Sequence, residues 1–325
     1  MPRRLGILIA VMLAVVVAAP ARSQPYPSRP VTIVVPLGAG GGSDLLARLV
    51  AQKLEQRLGR SFVIENRPGG GTTLAAMLVA RAKPDGYTLM QATSSTMAIN
   101  VTLQKKLPYD PINDFVPVAL LTASPFVLTV AAESPVKSVA DLIALAKEKP
   151  GELNYGSAGP GTMHHLSTEL MLNLTGTRMQ HIPYKATPQV LTDLFAGRLQ
   201  VLFGDGLSVL PQIREGKLRA LAVSTVKRSA ATPDIPTMQE AGIAGFESAA
   251  WQLIVAPAGT PADIVSLLNK EVRAIFNEHD VIQELTGRGM GPQLTDSPER
   301  LREFVKSEIE RWSPIVKRAG VAGTQ

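Results

Sequence analysis

The chain has 325 residues, of which 45% are hydrophobic and 18% are charged, and it contains no cysteine. This globular composition leaves room for two domains and excludes both a disulfide framework and a lipid-attachment cysteine. The formal net charge is +6, but the charges are dispersed and of mixed sign. A nucleic-acid partner would require a clustered basic face, so nucleic acid is not an expected partner.

The first 23 residues have the pattern of a secretory signal peptide. Arg3 and Arg4 precede an uncharged apolar run from Leu5 to Ala19, and small residues follow that allow cleavage after Ala21 or Ser23. The apolar run is short for a transmembrane span, which needs about 20 residues. An uncleaved anchor is the alternative. The sequence therefore predicts export to the periplasm.

The residues from Val31 to Asn66 predict a strand–loop–helix–strand unit. A β-branched run, Val31–Val35, ends at Pro36, and a helical pattern of leucines and valines runs from Asp44 to Leu58. A second strand is predicted from Phe62 to Ile64. Units of this kind build parallel sheets with helices packed on them, so the fold class is α/β.

The loop inside this unit is a candidate anion site. Glycines let a backbone approach a ligand closely, and the first amides of a helix have no partner within the helix. The helix dipole also favours negative charge at this end. The alternative is a tight strand-to-helix turn that binds nothing, with Ser43 as the helix cap.

Two more loops of the first half follow the same design. A glycine-rich loop leads into a second helix that Thr72 or Thr73 can cap, and the strand Thr88–Gln91 ends in the hydroxyl cluster 93–96. Ligands bind at the carboxyl ends of strands in open parallel sheets. The three loops together therefore predict one cleft.

The second half repeats this alternation of strands and helices. Apolar strands, Val116–Thr122 and Phe126–Ala131, are predicted on either side of a crossing into a second domain, in which the loop 157–162 precedes a helix near Met163. A return strand is predicted over Ala249–Val255. The expected organisation is a signal peptide (1–23), a first domain (24–123 with 250–325) and a second domain (124–249).

A set of short motifs in a fixed order covers essentially the whole mature chain and resembles the Bug receptors, the periplasmic solute-binding proteins of tripartite tricarboxylate transporters. The motifs are YPSRP (26–30), GAGGGSD (38–44), ENRPG (65–69), PDGYT (84–88), LPYD (107–110), LNYGS (153–157), GT (161–162), PYK (183–185), GKLRAL (216–221) and APAGTP (256–261).

The resemblance implies a two-domain periplasmic binding protein of the type II, Venus-flytrap kind, with two crossover strands. It implies a small carboxylate as ligand, a di- or tricarboxylate, an amino acid or an aromatic acid, that is captured for a tripartite tricarboxylate-type transporter or a sensing system. Membrane permease subunits are the expected partners, and the receptor is expected to be a monomer. By position, the implied ligand contacts are Leu37, Gly38, Ala39, Ser43, Gly70, Thr72, Ser94, Ser157, Gly161, Thr162 and Asp205.

Asp205 departs from the pattern of the family. Relatives often have Phe-Asp-Asn where this chain has Phe203-Gly204-Asp205, so the acid stands one residue later. The shift leaves the role of Asp205 open and suggests an altered ligand choice.

The alternative function is a dinucleotide-binding enzyme that uses the GAGGGS loop. The dinucleotide fingerprint requires a third glycine where Ser43 stands, and Pro36 interrupts the turn. The nucleophile elbow Gly-x-Ser-x-Gly of serine hydrolases does not occur in the sequence. His165 is interpreted as structural, and with Glu169 it offers too few ligands for a metal. The sequence thus predicts a binding protein without catalytic residues, metal or cofactor.

Overall fold

The computed structural model describes residues 26–229, 232–287, 289–292, 297–318 and 320–324. The predicted signal peptide lies outside the described residues. The strands are β1 (Val31–Val35), β2 (Phe62–Asn66), β3 (Thr88–Thr93), β4 (Phe115–Ala131), β5 (Asn154–Ser157), β6 (Gln180–Pro183), β7 (Leu202–Asp205), β8 (Leu218–Val223), β9 (Ala249–Pro257) and β10 (Gly291–Pro292). The α-helices are α1 (Gly42–Leu58), α2 (Thr73–Ala80), α3 (Asn100–Leu103), α4 (Val139–Glu148), α5 (Met163–Thr175), α6 (Thr187–Phe195), α7 (Gly206–Arg214), α8 (Ala262–Ile275), α9 (His279–Gly287) and α10 (Pro298–Arg318).

The first lobe is built on a sheet with the strand order β10-β4-β9-β3-β1-β2. Strand β1 runs parallel to β2 and β3, as the strand–helix–strand pattern predicts, while β9 runs antiparallel to β3 and β4. The return strand therefore does re-enter the sheet of the first lobe. Parallel strands bring the ends of β1, β2 and β3 to one edge of this sheet, which is where the three loops lie.

The second lobe is built on strands β5 to β8 together with the second half of β4. That half of β4 pairs antiparallel with both β7 and β8. Strand β5 pairs parallel with β6, and a bridge between Tyr155 and Val201 links β5 to the segment before β7.

The prediction of two separate strands around residues 123–125 is wrong, because β4 is continuous over 17 residues. Its first part pairs with β9 as far as Pro125, and its second part pairs with β7 from Phe126 onwards. Proline has no N–H to donate to a ladder, so it is tolerated at the point where the strand changes partners. A single strand therefore carries the chain from one lobe into the other.

The sheet of the first lobe is buried on both faces. Val31 and Ile33 of β1 pack into one cluster with α1 and α8, whereas Val34 packs into a second cluster on the opposite face. The alternation follows the two-residue period of a strand, and burial on both sides explains why β1 is an uninterrupted β-branched run. Each such side chain stabilises the fold by roughly 1.5–3 kcal/mol.

Several local predictions need correction at the edge where the loops lie. Thr72 occupies the cap position of α2 but makes no side-chain cap hydrogen bond, and its φ of 81° is left-handed. After β3 the hydroxyl cluster is not a loop, because Ser95–Ile99 forms a π-helical turn. No helix in the described portion is both long and apolar enough to cross a bilayer.

Candidate functional site

A cavity of about 50 Å³ lies between the two lobes, at the places where strands pass into helices. Helix α1, the turn 95–99 and helices α5, α6 and α7 all begin at this cavity, since it is lined by Gly42, Ser95, Met163, Thr187 and Gly206. The first amides of a helix lack partners within the helix, and the dipole makes this end positive. Several such ends from both lobes therefore converge on one small volume.

The side chains around the cavity carry little formal charge. Among the described residues that line it, none is lysine or arginine, and Asp205 is the single carboxylate. Helix dipoles and amides, rather than a basic side chain, therefore supply the positive potential. A site of this kind suits an anionic group that accepts hydrogen bonds from main-chain N–H groups.

Hydroxyl groups add to these donors. The fully buried Ser94 lines the cavity, and its Oγ has no hydrogen-bond partner among the described residues. Thr72 Oγ1 accepts a hydrogen bond from Asn100 Nδ2 at 3.3 Å, so its own proton remains available. Thr162 Oγ1 instead donates to the carbonyl of Gly159 at 2.7 Å and stabilises its own loop.

A buried histidine and Asp205 line the same cavity. His164 Nε2 lies 3.6 Å from Asp205 Oδ2 and 3.4 Å from Thr187 Oγ1, and its ring meets Phe126 edge-on at a centroid distance of 4.8 Å. His164 Nδ1 has no partner in the described part of the chain. Asp205 Oδ1 accepts a hydrogen bond from the amide of Ser208 at 2.9 Å and so caps α7.

The two lobes are in direct contact beside the cavity. The amide of Gly38 donates to the carbonyl of Lys185 at 2.9 Å. A Cβ at Gly38 would lie 2.7 Å from both Lys185 O and Ala186 Cβ, and a Cβ at Gly71 would lie 2.7 Å from Pro160 O. A Cβ at Gly42 would overlap the carboxylate of Asp205. These glycines therefore let the lobes close on each other, a role in addition to the close approach to a ligand that the sequence suggests.

An outer groove of about 680 Å³ adjoins the cavity on the side of the solvent. Leu37, Thr72, Ala158 and Thr162 line both the groove and the cavity. These four residues therefore form the boundary between the groove and the cavity.

The structure brings most of the predicted contacts together. The cavity is lined by Leu37, Gly38, Ser43, Thr72, Ser94, Thr162 and Asp205. Gly70 lines the outer groove instead. Ala39 is exposed, and neither it nor Ser157 nor Gly161 lines the cavity or the groove. Direct ligand contacts of these last residues stay a prediction.

Ser157 and Gly161 are held from behind by two stacked histidines. Ser157 Oγ lies 2.6 Å from His181 Nε2, and the amide of Gly161 donates to His165 Nδ1 at 3.0 Å. The rings of His165 and His181 stack at 4.1 Å. Burial lowers the pKa of His165 to about 3, with His181 adding to the effect, and burial lowers the pKa of His181 to about 4. Both rings are therefore neutral near pH 7, and His165 can accept the Gly161 hydrogen bond, which agrees with its structural interpretation.

The described residues contain no group of three or more His, Cys, Asp or Glu side chains placed to hold a metal ion. The histidine pair faces ring to ring, and His165 Nε2 lies 3.9 Å from Glu169 Oε1. The arrangement supports a structural cluster behind the loop 157–162.

Sequence reasoning missed several residues of the cavity, among them His164 and Thr187. The sequence pattern gives His164 no special role, yet it stands in the first turn of α5, two residues after Thr162. Thr187 begins α6 after the strand β6, which is another strand-to-helix junction like those already singled out. Treating every such junction as a candidate contact would have found Thr187.

Comparison with known families and structures gives a consistent result. Residues 46–321 match the family TctC, described as the tripartite tricarboxylate transporter family receptor. Among solved structures, Rhodopseudomonas palustris Rpa4515 with adipate is 40% identical, with a TM-score of 0.87 over 91% of this chain and 99% of that one. The periplasmic binding protein BugD is 32% identical, with a TM-score of 0.87 and the same coverages. MatC of Rhodopseudomonas palustris with bound malate is 36% identical, with a TM-score of 0.85 over 90% of this chain and all of that one.

Proposed function

The chain belongs to the tripartite tricarboxylate transporter receptor family TctC, and we propose that it binds a small organic carboxylate between its two lobes. The observation that carries this proposal is the convergence of several helix N-termini on a cavity whose described lining contains no lysine or arginine. Oriented main-chain amides in a partly dry site stabilise an anion without a basic side chain. Adipate and malate in the related structures support the same ligand class.

Binding uses donors from both lobes. Amides at the start of α1 and the hydroxyls of Thr72 and Ser94 belong to the first lobe, and amides at the start of α5 belong to the second. A carboxylate between them replaces its water shell with N–H and O–H donors. Because the donors lie on opposite lobes, the anion favours the closed arrangement over an open one.

The protein is a receptor rather than an enzyme, because the family is one of receptors. This confirms the prediction that it is not an enzyme and disfavours the dinucleotide-binding alternative for the GAGGGS loop. Membership of the family also implies a periplasmic location.

Three further features belong to this proposal. Residues 1–23 act as the signal peptide that exports the chain. The domains divide at 24–123 with 250–325 and at 124–249, so β4 and the stretch before β9 form the two connections. The mature protein acts as a monomer and presents its closed form to membrane permease subunits.

The test uses the purified chain from residue 24 onwards. Isothermal titration calorimetry with mono-, di- and tricarboxylates, amino acids and aromatic acids should find at least one ligand that binds at micromolar concentration, without turnover. NAD serves as the probe for the alternative and should not bind. Absence of binding by every carboxylate at millimolar concentration, or binding of NAD alone, would contradict the proposal.

A further inference from the structure

We propose that a small carboxylate binds in the cavity together with one proton, which His164 takes up. The carboxylate of the ligand and that of Asp205 then share one cationic ring. This inference rests on the proposed function, since it assumes that a carboxylate binds in this cavity. It adds the charge state in which the complex forms and assigns to His164 the role of proton acceptor.

The cavity contains one negative charge before a ligand binds. Asp205 is the single carboxylate in its described lining, and the capping hydrogen bond from the Ser208 amide holds it in place. Gly42 packs so closely against it that a Cβ there would overlap the carboxylate. In a cavity of about 50 Å³ a second carboxylate lies within a few ångströms of the first. Because like charges repel at this distance, binding is favoured by any group that adds a positive charge to the same space.

His164 is the one residue in the described lining that can add this charge. The lining contains no lysine or arginine, and histidine is the side chain that ordinarily changes its charge between pH 5 and 8. The ring of His164 is buried, with Phe126 of β4 edge-on to it and Thr187 of α6 at 3.4 Å. Its Nε2 lies 3.6 Å from Asp205 Oδ2. A proton on this ring therefore attracts both carboxylates.

The ring of His164 also has a nitrogen at which a proton can bind. Nδ1 is buried and has no hydrogen-bond partner in the described part of the chain, whereas Nε2 faces Asp205. A neutral ring with its N–H at Nε2 leaves Nδ1 as an acceptor that accepts nothing. Protonation at Nδ1 therefore breaks no hydrogen bond between described residues.

The stacked pair His165 and His181 is a poorer proton acceptor. His165 Nδ1 already accepts from the Gly161 amide, and His181 Nε2 lies 2.6 Å from Ser157 Oγ. Burial lowers the pKa of His165 to about 3 and that of His181 to about 4. Neither ring lines the cavity. A proton taken up with the ligand near pH 7 therefore does not go to this pair.

The other charged groups nearby face away from His164. On α1 the carboxylate of Asp44 accepts from Arg48, and behind β9 the carboxylate of Glu308 accepts from the indole of Trp251. Three titratable residues line the outer groove and not the cavity, namely Tyr184, Lys185 and Asp193. The ligand and the carboxylate that caps α7 are therefore the charges that act on this ring most directly.

The size of the effect follows from the separation of the charges. At about 6 Å and an effective dielectric constant of about 20, the attraction between a carboxylate and a cationic ring corresponds to about a hundredfold in affinity. A carboxylate should therefore bind the protonated form about a hundredfold more tightly than the neutral form. Because the complex holds more protons than the free protein, the affinity should fall as the pH rises.

The experiment counts protons by calorimetry on the mature chain. Malate, adipate, glutamate and benzoate serve as probes at pH 7 and pH 8, in two buffers with different ionisation enthalpies. For each probe that binds, we expect uptake of about half a proton or more at one of these pH values. The affinity should be about tenfold or more higher at pH 6.5 than at pH 9. The carboxyl groups of the probes stay ionised over this range, since such groups titrate at roughly pH 4.

Two variants locate the proton. His164→Gln keeps a polar side chain but cannot titrate, so proton uptake should vanish. Its affinity should match the wild type at pH 9 and be about tenfold or more lower at pH 6.5. Asp205→Asn keeps the cap of α7 and should retain the uptake, because the charge of the probe still acts on His164. Without the repulsion from Asp205, it should bind about tenfold more tightly at pH 9.

His279→Gln is the matched control, because His279 is exposed at the start of α9. It should behave as the wild type in uptake and in pH dependence. Any acid of the wider carboxylate panel that binds in place of the four probes is measured in the same way.

The outcomes are separable. Binding by the wild type without proton uptake, and with equal affinity at pH 6.5 and pH 9, overturns the inference and leaves the proposed function intact. Uptake that persists in His164→Gln, or that is lost in Asp205→Asn, also overturns it, because the proton then sits on another group. The wild-type and Asp205→Asn arms decide even where His164→Gln does not fold. Failure of every probe and of the wider panel contradicts the proposed function itself.

Discussion

Gly38 provides the sharpest test of how the lobes close. Its amide donates to Lys185 O across the boundary between the lobes, and a Cβ at this position would lie 2.7 Å from that oxygen and from Ala186 Cβ. Its φ is not in the left-handed region, so alanine is compatible with the backbone of the first lobe. Gly38→Ala therefore perturbs the contact between the lobes and not the fold of either lobe.

The size of the effect follows from this geometry. Ordinary contacts of a Cβ lie at 3.4–4 Å, so the lobes must separate locally by at least about 0.7 Å. Losing the hydrogen bond costs about 0.5–1.5 kcal/mol and relieving the overlap costs about 1–3 kcal/mol. At 1.4 kcal/mol for each factor of ten, we expect ligand affinity to fall by about 10- to 1,600-fold.

The assay measures the dissociation constant of the tightest carboxylate by calorimetry and the change in radius of gyration on binding by X-ray scattering. Gly287→Ala is the control, because a Cβ there meets no atom within 4 Å and its φ is ordinary. Adding Ala186→Gly to Gly38→Ala should restore part of the affinity, since it removes one of the two overlaps. Affinity within about threefold of the wild type in Gly38→Ala would refute the assignment of this contact to closure.

Three further changes have defined outcomes. Ser94→Ala should weaken carboxylate binding by about 1–3 kcal/mol in calorimetry. It should not lower the unfolding free energy, because the lost hydroxyl has no partner in the described protein. Ser208→Ala is the control and should leave binding unchanged, because it also removes a buried unpartnered hydroxyl but one outside the cavity. Asp44→Ala removes a buried carboxylate that accepts from a loop amide at 2.9 Å and should lower the unfolding free energy by about 1–2 kcal/mol in urea denaturation; an unchanged midpoint would contradict this. Burial lowers the pKa of His165 from 6.5 to about 3 and that of His181 from 6.5 to about 4. Between pH 6.5 and about 4 the unfolded chain therefore binds more protons than the folded chain. The unfolding free energy should fall as the pH drops through this range, by about 1.4 kcal/mol per pH unit for each histidine. Burial raises the pKa of Glu169 and opposes this slope, and His181→Gln should reduce the slope measured by urea titration at each pH.

The edge of the sheet that forms the site could be predicted because local patterns determine it. Parallel strands β1 and β3 end at one edge, and the residues that follow each of them are small or carry hydroxyl groups. Gly38 and Ser94 could therefore be placed at the cleft from the chain order alone. The continuity of β4 could not be predicted, because Pro125 interrupts an apolar run in the sequence as a loop would. The strand tolerates this proline only because its partner strand changes there, from β9 to β7.

The direction of a side chain on a helix could not be predicted from the sequence either. Neighbouring residues on a helix point about 100° apart, so His164 and His165 cannot both face the cavity. Their sequence context does not show which of them does, because the answer depends on how α5 packs on the second sheet. In the structure His164 lines the cavity and His165 stacks on His181 behind the loop.

The segment 38–43 takes part in the contact between the lobes and also lines the cavity, so closure and ligand binding are coupled. Gly38 and Gly42 contact the second lobe directly, while Ser43, one residue further on, lines the cavity. A ligand shifts the balance between open and closed forms only by its difference in affinity for them. In the proposed binding mode, donors from both lobes reach one carboxylate only when these glycines are in contact, so a side chain that separates them also removes the donors of one lobe. Substitutions at the lobe boundary should therefore weaken binding even where they touch no ligand atom, whereas substitutions behind the loop, at His165, should act through stability first.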